Sequence, residues 1–269
     1  RDLHSFPTRR SSDLIVEFFL LFLVPCIILI LEKVELISLS LGKLTLGDIS
    51  IDISKIVTYV LPILLFTGVL IFIQRLNKDK EFLSGEAYGD YPWFIYIIAY
   101  WLGYRKIRLS RKPYYIIYLL LKKKKFMIID ETDEICNLEF ELLEDEKDGQ
   151  EYVNLIIADT YQINMDQIPI SVKKYKTIFV KRKESNGVRF YNKPLCEKVG
   201  IMLTKLRNDG KIINLFMTTS ISNTREIFEE YLIITSRERF RFNLYQQDST
   251  GIRKFKEKPY NGGELYGFK

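Results

Sequence analysis

Residues 211–218 read KIINLFMT, a mainly apolar run that begins after Asn208, Asp209 and Gly210 and leads out through Thr218 and Thr219. A run of this length between turn residues suits a strand buried on both faces, as in a parallel sheet covered by helices. Upstream, residues 194–207 place Leu195, Val199, Met202, Leu203 and Leu206 on one face of a helix that residues 208–210 stop. Further upstream, VNLIIA at 153–158 is a second buried strand, and 176–180 and 188–191 read as shorter strands around the turn Ser185, Asn186, Gly187. Downstream, Asn223 with Glu226 three residues later reads as a capping box that opens a helix over 224–231. Strands alternating with helices predict an α/β domain with a mostly parallel sheet. Ligands in such sheets bind beyond the carboxyl ends of the strands.

Two long apolar spans precede this domain, at 15–31 and 56–73. The first holds fourteen Leu, Ile, Val or Phe residues. Each favours insertion by roughly 0.3–0.6 kcal/mol, against about 3 kcal/mol for a centrally placed carboxylate. Glu17 lies near one end of that span, so insertion wins. Both spans approach the roughly 20 residues that cross a bilayer, and Pro25 and Pro62 bend such helices without forbidding them. The expectation is a two-helix transmembrane hairpin over 15–75, a cytoplasmic α/β domain over 82–247 and a tail over 248–269. Residues 1–14 end in HSFPTRRSSDL, which looks like a reading frame of a sequencing adapter, and are set aside. With them goes His4, the one histidine, and with it any histidine-based triad or imidazole metal site.

Arg75, Lys78 and Lys80 follow the second span, with Arg105, Lys106, Arg108, Arg111 and Lys112 beyond. Positive charge marks the cytoplasmic face, which places both termini in the cytoplasm. The net charge of +6 suits an anionic lipid surface or ligand. The basic residues form no base-reading motif, so a nucleic-acid polymer is not expected. Cys26, Cys136 and Cys196 are too scattered for a disulfide framework or a zinc site, and no metal is expected. Residues 91–104, YPWFIYIIAYWLGY, are apolar and aromatic almost all round yet short for a membrane span, which suits a buried, dimer-forming or interfacial helix. Residues 130–148 carry ten carboxylates against Lys147 and read as a solvated loop or edge hairpin.

Three pieces suit a small nucleotide. Ala87, Gly89, Tyr91, Phe94 and Ile95 form A-x-G-x-Y-x-x-F-I, Arg189, Phe190 and Tyr191 form R-F-Y after a glycine turn, and Thr218 and Thr219 end the second buried strand. Aromatic faces stack on bases, arginine forks onto phosphate, and hydroxyls bond base edges. In this order the pieces resemble the bacterial STING family, cytoplasmic α/β sensors of cyclic dinucleotides, in the form that carries transmembrane segments. Residues 155–158 are a loose echo of that family's first strand, and Arg237, Glu238 and Phe242 of its last helix.

The resemblance implies that Tyr91 and Phe94 line a pocket, with Phe94 stacked on a base. Arg189 and Tyr191 would belong to a lid, and Thr218 and Thr219 would lie beneath the ligand. It further implies a two-fold homodimer that binds one cyclic dinucleotide, such as cyclic di-GMP, and assembles into higher oligomers to perturb the bilayer in anti-phage defence, with no catalysis. Leu215, Met217 and Asp90 depart from the family pattern, and Leu215 replaces an aspartate suited to guanine. Two other readings stay open. One is a membrane-bound nucleotide-handling enzyme using Asp159, Asp166 or Glu184, although the chain has no P-loop, G-x-G-x-x-G or nucleophile elbow. The other is a scaffold of a mobile-element membrane machine.

Overall fold

The structure is a computed structural model. It describes residues 14, 16–23, 26–27, 43–46, 49–82, 91–110, 112–130, 133–147, 151–183, 187–233, 241–248 and 253–261. The chain divides into two compact units, the first made of Arg1–Arg108 with Lys125–Ile129 and the second of Leu109–Lys124 with Asp130–Lys269.

In the first unit, β1 (Lys43–Leu46) and β2 (Ile49–Asp52) form an antiparallel hairpin that leads directly into α1 (Ile53–Asn77). At 25 residues, α1 is about 37 Å long at 1.5 Å per residue, more than the roughly 30 Å of a bilayer's hydrocarbon core. Ile63, Leu64 and Phe72 are each more than 60 % exposed, so much of its apolar surface is uncovered by the described residues. Among the described residues this is the one helix long and apolar enough to cross a membrane, over Val60–Asn77. The first apolar span is described only at residues 16–23 and 26–27, all helical. It runs beside α1, with the Phe22 and Phe66 rings 5.6 Å apart. Glu17 accepts a hydrogen bond from Asn77 Nδ2 at 2.7 Å and meets the Tyr104 hydroxyl at 3.3 Å. The carboxylate is thereby held level with the polar end of α1.

The unit continues through β3 (Glu81–Phe82), α2 (Trp93–Trp101), β4 (Lys106–Ile107) and β5 (Met127–Ile128), the three short strands pairing in parallel. The carboxyl end of α2 docks on the end of α1. Gln74 Nε2 donates to Trp101 O at 2.9 Å. Gly103, at φ +97°, lies so close that a Cβ there would stand 2.5 Å from Gln74 Cα. Only glycine meets both demands.

The second unit holds α3 (Tyr114–Lys123), β6 (Phe140–Glu144), β7 (Tyr152–Ala158), β8 (Lys176–Arg182), α4 (Lys193–Asn208), β9 (Ile212–Thr218), α5 (Ile221–Glu226), β10 (Phe242–Tyr245) and β11 (Tyr260–Asn261). Its six strands lie in the order β11-β10-β9-β7-β8-β6. The inner four are parallel, and β6 and β11 close the edges antiparallel. All seven residues of β9 and six of the seven in β7 are buried, so both faces are covered. On one face Ile156, Ala158, Phe216 and Tyr245 pack with Ile163, Ile168, Val172 and Phe255. α4 buries Leu195, Val199, Leu203 and Leu206 as its periodicity predicts, and starts at Asn192, whose side chain accepts from Leu195 N. α3 buries all of Ile116 to Leu121, and Tyr118 meets Phe228 and Phe242 edge to face.

A polar rung crosses this apolar sheet. Asn243 Nδ2 donates to Asn214, Asn214 Nδ2 donates to Asn154, and Asn154 Nδ2 donates to Thr177 Oγ1 and Val172 O, at 2.9–3.2 Å. These residues stand opposite one another on β10, β9, β7 and β8. A one-residue slip would leave several buried amides unpaired, so the rung fixes the register.

Four readings of the sequence change here. Residues 188–191 are not a strand, because Val188 O accepts from Arg182 and Phe190 O accepts from Ser220 and Asn223. Only a single bridge, Ile135 to Tyr191, remains. The helix expected to open at 224 opens at Ile221, capped by Ser220 Oγ, and passes into a π-helical turn over Ile227–Ile233. Within the acidic stretch, residues 140–144 form β6 on the edge of the main sheet rather than half of a hairpin. Phe242, expected on a last helix, lies on β10, while Arg237 and Glu238 fall outside the described residues, as do Ala87 and Gly89.

Candidate functional site

The connections out of β7 define where this sheet opens. The chain leaves β7 for β8 on one side, then returns by α4 to β9 on the other side and moves on to β10. β7 and β9 are therefore neighbours whose connections diverge, the topological switch point at which open α/β sheets place their ligands. Its residues are Asp159, Thr160 and Tyr161 after β7, and Thr218, Thr219 and Ser220 at and after β9.

Asp159 is the hub, fully buried. It receives Ser220 N at 3.2 Å and Asn223 Nδ2 at 2.9 Å, and its other oxygen pairs with Arg182 Nη1 at 3.3 Å. Burial raises the pKa of the carboxyl above the usual carboxylate value, although the Asn223 and Ser220 hydrogen bonds and the Arg182 charge oppose the shift. Arg182 also donates from both terminal nitrogens to Val188 O at 3.1 Å, tying the segment after β8 to the sheet. Asn223 donates a second time to Phe190 O and accepts from Asn192 N. One buried carboxylate thus organises the ends of three strands and the starts of two helices.

Thr218 and Thr219 lie at this point but turn inward, 4 % and 7 % exposed. Thr218 Oγ1 donates to Tyr161 O at 2.6 Å, and Thr219 Oγ1 lies 2.7 Å from Thr224 Oγ1. The Tyr114 hydroxyl accepts from Thr219 N at 3.0 Å. Burial raises the Tyr114 pKa, partly offset by its hydrogen bonds to Thr219 and by the charge of Arg189 nearby. Arg189 is exposed on the rim. Tyr191 donates to Glu226 Oε2, which lifts its phenol well above the usual tyrosine range.

The rim also carries Tyr161, 42 % exposed. Arg253 lies 4.4 Å above its ring and Gly187 packs against its edge. An aromatic ring and two guanidinium groups on the rim are chemistry for a flat, anionic ligand.

Four of the six residues singled out in the sequence, Arg189, Tyr191, Thr218 and Thr219, therefore gather on the second unit. Tyr91 and Phe94 belong to the first unit, where Phe94 is 57 % exposed on α2. Tyr114, Tyr161, Arg253 and the Asp159–Arg182 pair carried no sequence signal that joined them. Ser220 and Asn223 did, as Ser-x-x-Asn directly after a buried strand. A cavity of about 170 Å³ lies at the opposite end of this sheet, by the amino ends of β7 and β8, with Lys147, Lys176, Lys205, Lys211, Glu144 and Asp209 in its wall. Its charges are mixed, and Lys176 is already 3.5 Å from Glu144. No group of three or more His, Cys, Asp or Glu side chains among the described residues could hold a metal ion.

The model of one family, the SMODS- and Ubiquitin system-associated 2TM effector domain, matches residues 8–261 and so takes in both units. The chain belongs to this family. What is shown is thus a 2TM effector domain, and not the STING family specifically. No curated protein matches the sequence. Similar solved structures include the Cap4 SAVED/CARF-domain containing receptor of Acinetobacter baumannii with the cyclic trinucleotide 3'3'3'-cAAA, at 11 % identity and a TM-score of 0.42, over 65 % of this chain and 45 % of that one. The same receptor with 2'3'3'-cAAA matches at 10 % identity and a TM-score of 0.42, over 63 % of this chain and 44 % of that one. The 2TM effector chain therefore spans less than half the length of these receptors. A likeness at this level carries no conclusion about its ligand.

Proposed function

We propose that this 2TM effector domain is a membrane-anchored sensor. In this reading a cyclic oligonucleotide messenger binds at the switch point between β7 and β9, and the chain assembles as a homodimer and higher oligomers that act on the bilayer in anti-phage defence. The observation that carries the reading is the joining, in one chain, of an apolar helix that leaves Ile63, Leu64 and Phe72 exposed to a sheet whose switch point is rimmed by Arg189, Tyr161 and Arg253. The family description, a 2TM effector domain, supports the membrane half. The basic residues after α1 support an anionic inner leaflet beside it, with both termini cytoplasmic.

The chain binds rather than catalyses. Asp159, the one fully buried carboxylate at the switch point among the described residues, already serves Ser220, Asn223 and Arg182 and faces no open space. It is a structural hub, which argues against Asp159 as a catalytic group.

The test is thermal unfolding of the full chain in detergent with cyclic di-GMP and, separately, with 3'3'3'-cAAA. A ligand at one hundred times its Kd adds about 2.7 kcal/mol, and Arg189→Ala and Tyr161→Ala are expected to remove that gain. If neither messenger shifts the transition, or the shift survives both substitutions, the proposed site is wrong.

A further inference from the structure

The aromatic helix α2 carries no charged residue, and its two sides differ sharply. Tyr96 and Ala99 are fully buried, and Phe82 packs edge-on against Tyr96. Phe94, Ile97 and Trp101 are 57, 43 and 39 % exposed. At 3.6 residues per turn these three fall within an arc of about 60°, so they form one apolar stripe. That stripe is continuous with the flank of α1. The Trp101 ring lies 6.1 Å from the ring of Phe66, a residue inside the Val60–Asn77 span, and the Gln74 and Gly103 contacts hold the end of α2 in that position.

Cations border the helix. The Arg105 guanidinium lies 4.1 Å and the Lys125 ammonium 5.3 Å from the ring centre of Tyr100, Arg75 stands in the last turn of α1, and Lys78 and Lys80 follow it. Tryptophan and tyrosine rings favour the headgroup level of a bilayer, and cations there meet anionic lipid.

We propose that α2 is an interfacial helix lying in the lipid leaflet at the carboxyl end of α1, with Phe94, Ile97 and Trp101 seated among the acyl chains just below the headgroups. The inference rests on the reading that α1 spans the bilayer. It gives the 2TM effector a third membrane contact, one that turns with any movement of α1 because Trp101 and Gln74 are tied together.

The two tryptophans of the chain, Trp93 and Trp101, both lie on α2, so tryptophan fluorescence reports this helix alone. The full chain is reconstituted into phosphatidylcholine and phosphatidylglycerol vesicles, and membrane association is read by flotation. In the Trp93→Phe variant, Trp101 emission is expected to be blue-shifted and largely lost when the lipids are brominated near the headgroup. Phe94→Glu with Ile97→Glu should restore most of that emission while the chain still floats. In a parallel chain carrying Trp101→Phe with Phe94→Glu and Ile97→Glu, Trp93, stacked on Tyr96 at 5.9 Å, serves as the folding control.

A floating chain whose Trp101 is not quenched overturns the inference and leaves the α1 reading standing. The same holds for blue-shifted but unquenched emission, which would mean that a second copy covers the stripe. A chain that does not float overturns both.

Discussion

β9 and the Val60–Asn77 part of α1 are both mainly apolar runs, yet they end in opposite surroundings. Every residue of β9 is buried, because β7 and β10 take its backbone and the flanking layers take both faces. In α1 the backbone is satisfied within the helix, while Ile63, Leu64 and Phe72 stay uncovered. A strand must find partners within the protein, whereas a helix can meet lipid with its hydrogen bonds already made. The polar groups follow the same division. The second unit buries Asp159, Asn154 and Asn214 in hydrogen bonds to its own groups, and the first places Glu17 and Asn77 together at the end of α1.

The largest effect is expected where a buried charge loses its partner. Arg182→Met leaves Asp159 ionised and unpaired, which costs about 3–5 kcal/mol and should show as a lowered transition of the second unit by circular dichroism. Acidification should narrow that loss. The pKa of Asp159 is raised in the fold, so its protonated form favours the native state: the benefit is complete below the unfolded carboxylate value and is lost as pH rises through the raised one. The comparison fails if Arg182→Met is equally unstable across that range.

The next effect separates the units. Leu64→Arg opposes insertion of α1 by about 3 kcal/mol and should reduce vesicle flotation while leaving the second unit's transition in place. A smaller loss, about 1–3 kcal/mol, is expected for Asn214→Leu, which strands the amides of Asn154 and Asn243 inside the sheet. Lys183→Ala should change nothing measurable. Its 2.6 Å contact with Glu139 is solvent-exposed, and the directions of the two pKa shifts report local attraction that water and salt screen. A clear destabilisation there would mean that the sheet edge at β6 depends on charge more than on pairing.

How much was legible follows the range of each signal. β7, β8, α4 and β9 stand within two residues of their expected bounds, because strand burial and helical periodicity are local patterns. β10 was not foreseen. It holds only four residues and draws its identity from pairing with β9. Residues 188–191 failed as a strand because side chains from residues 182, 220 and 223 claim their carbonyls, a competition that alternation cannot display. At the site, Thr218 and Thr219 were legible as the end of a strand. That their hydroxyls turn inward, and that Tyr161 and Arg253 form the rim, depends on residues far apart in the chain.

Composition and periodicity alone determine that an apolar helix precedes an α/β domain with a buried parallel core, since insertion energy and side-chain spacing add up residue by residue. Tertiary structure alone decides the strand order, and therefore that β7 and β9 part at Asp159, because strand neighbours are chosen by register and packing between distant segments. It also decides which face of α2 is spent on the protein and which is left to its surroundings.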